Sequence, residues 1–194
     1  MNKNKFIQVQ LIEDFNILEY EAIIQELESL SKPENVKGMA RFGINSKKVY
    51  GIKMPELRHI TKKTGKNHEL AEKLWHTGYN ETKIRASLIE DPKNVTEDQM
   101  EKWAIGFNSW DSCDHVVSFY SIKLLLFIKK IFEWSERKEE FIKRAAFTLI
   151  SVLAVYDKKS TDNKFKQFYP LIIRESTDNR NYVKKAVNWA LRQK

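Results

Sequence analysis

One segment of the chain combines a large aromatic side chain with a carboxylate at a spacing that could form a ligand-binding or catalytic site. It reads Phe107-Asn108-Ser109-Trp110-Asp111-Ser112-Cys113-Asp114-His115. If Ser109 caps a helix, Trp110 and Asp114 lie four residues apart on one helix face, near the positive end of the helix dipole. A tryptophan face beside a carboxylate suits a cationic ligand, and the ring contributes about 0.5–2 kcal/mol. The alternative is a core Trp110 with a capping or salt-bridged Asp114.

A second tryptophan, Trp189, lies among basic residues further along the chain. The apolar residues of this segment recur at four-residue steps and predict the buried stripe of a helix: Val183, Val187 and Leu191. Trp189 falls outside that stripe, as do Lys185 and Arg192, so these three side chains are candidates for a surface that stacks on DNA and binds phosphate. Packing of Trp189 against a neighbouring helix explains its position equally well.

Basic residues also cluster elsewhere. Residues 35–55 include five cations and no acid: Lys37, Arg41, Lys47, Lys48 and Lys53. Lys143 and Arg144 form a further pair. Each cluster alone is typical of a solvated face. A repeated helical fold could gather these residues on one surface that fits the phosphate backbone of duplex DNA.

The net charge of the chain favours an acidic partner. There are 34 Lys and Arg against 26 Asp and Glu, which gives +8 at pH 7. Residues 1–109 contain 17 basic and 16 acidic side chains, whereas residues 110–194 contain 17 and 10. Such asymmetry suggests a polyanion, since neutralising phosphates releases counterions. A basic soluble protein without a nucleic-acid role is the alternative.

Other kinds of chemistry find little support in the sequence. Cys113 is the single cysteine, so no intrachain disulfide forms, and a lone cysteine is more often buried than nucleophilic. The four histidines lack the spacing of metal ligands, and no phosphate-binding glycine loop occurs, so we expect neither a metal nor a cofactor. No apolar run approaches ~18 residues, which predicts no membrane span. We expect a cytoplasmic monomer.

Hydrophobic periodicity indicates helices nearly throughout. Only 6 Gly and 4 Pro occur in 194 residues, which argues against a turn-rich β fold. The pattern predicts an all-α protein of roughly ten helices with short connections. Short helices in pairs of about 40 residues suggest HEAT-like repeats forming a curved right-handed α-solenoid, in a single domain over residues 1–194. A compact irregular helical bundle is the alternative.

Several helix boundaries and faces are predicted in detail. The first helix is expected to bury one apolar face: Phe15, Leu18, Ile23, Leu27 and Leu30. Pro33 is expected to end that helix. Asn67 and Thr96 are predicted to cap the helices that follow them. The apolar stretches 116–132 and 165–173 each predict one helix.

Several stretches resemble, in the same order along the chain, the DNA alkylation repair enzyme family of AlkD-like glycosylases. They include Tyr50-Gly51-Ile52-Lys53-Met54-Pro55-Glu56-Leu57-Arg58, Ser109-Trp110-Asp111-Ser112-Cys113-Asp114, Phe141-Ile142-Lys143-Arg144-Ala145-Ala146-Phe147 and Val183-Lys184-Lys185-Ala186-Val187-Asn188-Trp189-Ala190-Leu191-Arg192. The resemblance extends from about Gly51 to Arg192. Co-linear matches of this number are more specific than any single motif.

The resemblance implies a metal-free, monofunctional DNA glycosylase whose HEAT-like array contacts duplex DNA containing alkylated bases. The family hydrolyses the N-glycosidic bond of alkylpurines such as 3-methyladenine and 7-methylguanine. Its functional set of two tryptophans, one aspartate and one arginine falls on Trp110, Trp189, Asp114 and Arg144. By this analogy, Asp114 stabilises the oxocarbenium character of the sugar, the tryptophans contact the lesion nucleotide, and Arg144 holds a phosphate.

Two other functions are compatible with the sequence. A non-catalytic HEAT-like protein that recognises damaged or branched DNA would bind DNA in a salt-sensitive manner without releasing bases. A protein-interaction scaffold, a common use of HEAT repeats, would show no preference for DNA. The combination of Trp110, Asp114 and Trp189 favours the enzyme over both.

Overall fold

The structure, a computed structural model, describes residues 3–44, 47–119, 124–157 and 162–193. Within these ranges all regular secondary structure is helical, without any strand. Twelve helices, α1 to α12, lie in these ranges in chain order: Lys3–Ser29, Pro33–Arg41, Met54–Thr61, His68–His76, Asn80–Ile89, Glu97–Ile105, Trp110–Phe119, Leu124–Ser135, Glu140–Tyr156, Asp162–Lys166, Tyr169–Glu175 and Asn181–Arg192. The all-α prediction is therefore confirmed.

The chain divides into two compact units. Unit 1 contains α1 to α5 and spans residues 1–42 and 46–91. Unit 2 contains α6 to α12 and spans residues 92–194 together with residues 43–45. The expectation of a single repeat domain over residues 1–194 stays a prediction.

Local side-chain signals set several helix starts, as predicted. The Asn67 side chain accepts the backbone N–H of Leu70 at 3.1 Å at the start of α4. The Thr96 hydroxyl accepts the backbone N–H of Gln99 at 3.1 Å at the start of α6. Each cap satisfies one of the backbone donors that the first turn of a helix leaves without an intrahelical partner. These two cap predictions are confirmed.

Proline explains two places where the helices differ from the prediction. Pro33 does not directly end α1, which stops at Ser29; it begins α2 instead. The stretch 165–173 is not one helix, because α10 ends at Lys166 and α11 begins at Tyr169, with Pro170 in its first turn. Proline fits the first turn of a helix, where no backbone donor is required, and disrupts a helix interior.

The single helix predicted for the stretch 116–132 stays a prediction. α7 ends at Phe119 and α8 begins at Leu124. Residues 120–123, on which the prediction of one continuous helix depends, lie outside the described residues.

The apolar face predicted for α1 is only partly correct. Ile23 and Leu27 are buried, whereas Phe15 and Leu18 are 64% and 66% exposed. The buried residue at this level of α1 is Asn16, whose Nδ2 donates to Glu69 at 2.6 Å and whose Oδ1 accepts from Asn67 at 2.9 Å. The contact between α1 and the start of α4 is therefore polar at this level and does not use the apolar side chains.

A buried carboxylate organises the chain before α3 in unit 1. Glu81 of α5 accepts backbone N–H groups from Tyr50 at 3.0 Å, Gly51 at 2.8 Å and Ile52 at 3.2 Å. Gly51 has φ +83°, and a Cβ there would lie 2.2 Å from the Lys32 carbonyl oxygen, so glycine is required. Burial raises the pKa of Glu81, and the backbone donors oppose that rise. The motif that begins at Tyr50 therefore has a structural explanation.

The helix α9 is the centre of unit 2. It contacts α6, α7, α8 and α12, and residues 144–153 are all buried. Most of these side chains are apolar or small, and Phe147 and Leu149 have no exposed surface. Two polar residues on the same face of α9, Arg144 and Thr148, therefore lie inside the unit and need partners there.

Candidate functional site

The start of α7 is fixed by hydrogen bonds among its own side chains. The Ser109 hydroxyl donates to Asp111 Oδ1 at 2.6 Å, and the backbone N–H of Ser112 donates to the same oxygen at 2.8 Å. All three residues are buried. This network places a carboxylate at the helix N-terminus, where the helix dipole favours it, and fixes the turn that carries Trp110. The polar residues between Trp110 and Asp114 are therefore structural.

Asp114 and Arg144, predicted from distant parts of the sequence, lie in direct contact. Arg144 Nε donates to Asp114 Oδ1 at 2.9 Å, and Arg144 Nη2 donates to Asp114 Oδ2 at 2.6 Å. This is a bidentate pair, the strongest geometry available to an arginine and a carboxylate. The Arg144 side chain is 7% exposed and the Asp114 side chain 17% exposed, so the pair is largely shielded while the carboxylate keeps some access to solvent.

Two further groups hold this pair in place. Arg144 Nη1 donates to the backbone carbonyl of Tyr182 on α12 at 2.8 Å. The hydroxyl of Thr148, fully buried on α9, donates to Asp114 Oδ1 at 3.1 Å. Burial alone would lower the pKa of Arg144, but the hydrogen bonds and charge of Asp114 raise it above its usual value, so the guanidinium remains charged. The pair connects α7, α9 and α12.

Thr148 and the Tyr182 carbonyl were not predicted from the sequence to belong to this site. Thr148 lies one helical turn after Arg144, so its position on the same face of α9 was available from the spacing. A backbone carbonyl carries no such signal in the sequence. The role of Tyr182 therefore depends on tertiary structure.

The two predicted tryptophans are both half-buried. Trp110 is half-buried in the first turn of α7, one turn before Asp114. Trp189 is half-buried on α12, seven residues after Tyr182. Two turns of helix separate Trp189 from Tyr182, so both lie on the same side of α12, the side that binds Arg144 through the Tyr182 carbonyl.

One face of α12 combines aromatic and basic side chains. Lys185, Trp189 and Arg192 follow at helical spacing, and both cations are exposed. The buried stripe differs from the prediction, because Leu191 is 53% exposed and two alanines are buried in addition to the two predicted valines. The stripe consists of these residues: Val183, Ala186, Val187 and Ala190. The face of α12 that is buried is therefore centred on Val183, Ala186, Val187 and Ala190, and Leu191 lies outside it.

Two other basic residues predicted to bind DNA, Lys143 and Lys48, have partners within their own units. Lys143 Nζ lies 2.5 Å from Glu175 Oε2, in a pair with little exposure. In unit 1, Lys48 donates to the Thr77 carbonyl at 2.9 Å but remains exposed, as does Lys47. Their contacts with DNA stay predictions.

Cys113 lies between Asp111 and Asp114 but is not suited to nucleophilic chemistry. It is fully buried, and its Sγ lies 3.4 Å from the Phe141 carbonyl oxygen. Burial, together with the nearby carboxylates, raises the pKa of this thiol well above its usual value. A thiolate therefore does not form near neutral pH.

The described residues contain neither a metal-binding cluster nor a membrane-spanning helix. Across residues 3–44, 47–119, 124–157 and 162–193, no group of three His, Cys, Asp or Glu side chains is placed to hold a metal ion. In the same part of the chain, no helix has both the length and the apolar character needed to cross a membrane.

A solved structure shares the fold of this chain. It is described as a new family of proteins related to the HEAT-like repeat DNA glycosylases, with affinity for branched DNA structures. The similarity has a TM-score of 0.78 and covers 90% of this chain and 74% of that chain, at 23% sequence identity. The chain is therefore an all-helical protein with the HEAT-like repeat fold, as the sequence predicted.

The chain belongs to the DNA alkylation repair enzyme family, whose sequence pattern it matches over residues 23–194. Two Listeria proteins, both described as uncharacterised, are also similar. The Listeria innocua serovar 6a protein Lin0241 is 28% identical over 70% of this chain and 62% of its own length. The Listeria monocytogenes serovar 1/2a protein Lmo0209 is 32% identical over 47% of this chain and 42% of its own length. The chain thus aligns with less than two thirds of either relative.

Proposed function

We propose that this protein is a monofunctional DNA glycosylase that releases cationic alkylated purines, of the 3-methyladenine and 7-methylguanine type, from duplex DNA. The observation that carries the proposal is the Asp114 carboxylate. It is held by Arg144 and Thr148, keeps partial access to solvent, and lies one turn after Trp110. Membership of the DNA alkylation repair enzyme family supports the same assignment.

The chemistry needs one carboxylate and no metal. Alkylation gives the purine a positive charge, so the bond from C1′ to the base nitrogen breaks with its electron pair moving to the base, and no general acid is required. The sugar then develops oxocarbenium character, as in glycoside hydrolysis. Asp114 stabilises that positive charge and orients the water that attacks C1′. The attacking water loses a proton to the surrounding solvent, which leaves the hydroxyl of the abasic sugar. The half-buried Trp110 and Trp189 contact the lesion nucleotide, and their rings favour cationic bases.

Arg144 serves mainly to orient Asp114. A guanidinium has five N–H donors, and three of them bind Asp114 and the Tyr182 carbonyl. We assign the remaining donors to a phosphate of the bound DNA. We assign the exposed Lys185 and Arg192 to an extension of the contact along α12, and the exposed Lys47 and Lys48 of unit 1 to phosphate contacts of their own. Lys143 adds little to this charge, because Glu175 offsets it.

Base release from a methylated duplex tests the proposal. The wild type is expected to release free methylated purines, and Asp114→Asn is expected to lose about 100-fold or more of the rate, the size typical of removing one electrostatic group from a catalytic site. Asp98→Asn is the control, because Asp98 is an exposed carboxylate in an ion pair on α6 of the same unit. Full activity in Asp114→Asn, or no release by the folded wild type, would overturn the proposal.

A second candidate function is binding of branched DNA without catalysis. The observation that favours it is the structural neighbour, which has the same fold and is described as having affinity for branched DNA structures. Electrophoretic mobility shifts with a four-way junction and a duplex of equal length separate the two functions. This candidate predicts a preference for the junction and no base release, whereas the glycosylase predicts base release from the methylated duplex.

A further inference from the structure

We propose that a cavity in unit 1 binds a nucleoside monophosphate. The cavity has a volume of about 350 Å³ and opens beside α3, the turn that follows it, and α5. Its walls are formed by six residues: Arg58, Thr61, Lys62, Gly65, Lys66 and Leu88. The volume lies at the lower end of the range of small-ligand sites. None of the residues assigned above to base release lines it.

The positive charge of the residues that line the cavity favours an anionic ligand. Three of the six lining residues are cationic and none is acidic. Arg58 and Lys62 lie four residues apart along α3 and its C-terminal end, where like charges repel one another. A phosphate monoester, with about −1.5 to −2 charges near pH 7, would relieve this repulsion and bind through charge-assisted hydrogen bonds.

Lys66 supplies a cation whose position is fixed. Its Nζ donates to the Leu88 carbonyl at 2.9 Å, which ties the turn after α3 to the end of α5. Burial lowers the pKa of Lys66, while the nearby Asp91 and Glu90 carboxylates oppose that change. Because this bond already restricts the Lys66 ammonium group, binding an anion costs less conformational entropy than it would for a freely rotating lysine.

The remainder of the cavity surface suits an apolar ring. Leu88 is half-buried, and the Thr61 hydroxyl is already bonded to the Leu57 carbonyl at 2.7 Å. Gly65 has φ +72°, and a Cβ at this position would meet nothing within 4 Å, so the wall at Gly65 is open. The exposed Arg58 guanidinium offers a plane on which a base can stack. An anion attached to a flat, mostly apolar ring is the chemistry of a nucleotide.

The choice of a nucleotide over another organic anion rests on the proposed DNA function. The same chemistry is presented by a free mononucleotide and by an unpaired nucleotide within a DNA strand. The experiment therefore uses both as probes. It involves no base release, so its failure is distinguishable from failure of the proposed glycosylase activity.

Titration of the ¹⁵N-labelled full chain with 5′-dAMP tests the proposal by NMR. The backbone amide signals of Gly65 and Leu88 are expected to shift in a saturable manner. Lys62→Gln is expected to weaken binding about 10-fold, the loss expected for a hydrogen bond to a charged group. Lys63→Gln is the matched control, since Lys63 is exposed, adjacent and carries the same charge but does not line the cavity. It should bind as the wild type does.

Three further probes identify what is recognised. Deoxyadenosine and inorganic phosphate should each bind more weakly than 5′-dAMP, because each lacks one half of the ligand. Binding of a short single-stranded oligonucleotide would assign the site to DNA, and binding of 5′-dAMP alone would assign it to the free nucleotide. The proposal is overturned if 5′-dAMP leaves Gly65 and Leu88 unshifted, if phosphate binds as tightly as 5′-dAMP, or if Lys63→Gln weakens binding as much as Lys62→Gln.

Discussion

Replacing Arg144 with methionine should strongly destabilise unit 2. The change leaves the Asp114 carboxylate without its bidentate partner in a site where the two side chains are 7% and 17% exposed. Removing one partner of a buried ion pair costs about 3–5 kcal/mol of folding free energy. We take ~3 kcal/mol, because Asp114 keeps partial contact with solvent and the hydrogen bond from the Thr148 hydroxyl. For a chain of this length, that loss lowers the melting temperature by roughly 6–12 °C.

Lys102→Met provides the matched control. Lys102 and Asp98 form an ion pair in the same unit with the same closest N–O distance, 2.6 Å, but the side chains are 68% and 75% exposed. An exposed pair contributes at most about 1 kcal/mol, so the melting temperature should change little. Thermal and urea unfolding followed by circular dichroism measure both variants. Equal losses of less than ~1 kcal/mol would refute the argument that burial makes the Asp114–Arg144 pair important.

The double variant Arg144→Met/Asp114→Asn separates two sources of the loss. If an uncompensated buried charge is the main cost, neutralising Asp114 should restore part of the stability lost in Arg144→Met. If lost packing is the main cost, the double variant should be no more stable than Arg144→Met alone. A double-mutant cycle on the same unfolding data gives the coupling free energy between the two side chains.

The surroundings of the Asp114–Arg144 pair can be tested at Thr148, Cys113 and Glu175. Thr148→Val should lower base release ~10-fold, since it removes a hydrogen bond to the Asp114 carboxylate, and Thr148→Ser should retain activity. Cys113 should resist a thiol reagent until urea unfolds the protein; rapid labelling of the native state would contradict its burial. Although burial opposes it, hydrogen bonding from Lys143 lowers the pKa of Glu175 below its usual 4.5. The resulting stability is present above pH 4.5 and is lost as pH falls through the lowered pKa, so Glu175→Gln should flatten the acid limb of a stability–pH curve.

Structural features that depend on residues close together in the chain could be predicted from the sequence. The caps at Asn67 and Thr96 depend on a side chain and a backbone donor three residues later, so the spacing alone predicts them. The pairing of Asp114 with Arg144 was different, since 30 residues separate them in the chain. The resemblance to a known family placed both in one functional set, but the composition and periodicity of the chain did not.

Features that depend on tertiary packing could not be predicted from the sequence pattern. The periodicity of α1 marked Phe15 and Leu18 as apolar, but could not show that the contact at this level is made by Asn16. Similarly, Leu191 matched the stripe of α12 and is nevertheless exposed. Hydrophobic periodicity identifies a face that can be buried, and the neighbouring helices determine how much of that face they cover.

Single-turnover release of 7-methylguanine from a methylated duplex tests the central claim most directly. We expect release by the wild type and by Asp98→Asn, and a loss of about 100-fold or more in Asp114→Asn, with folding of each variant confirmed by circular dichroism. Equal rates in the wild type and a folded Asp114→Asn would contradict the assignment of Asp114 as the catalytic carboxylate.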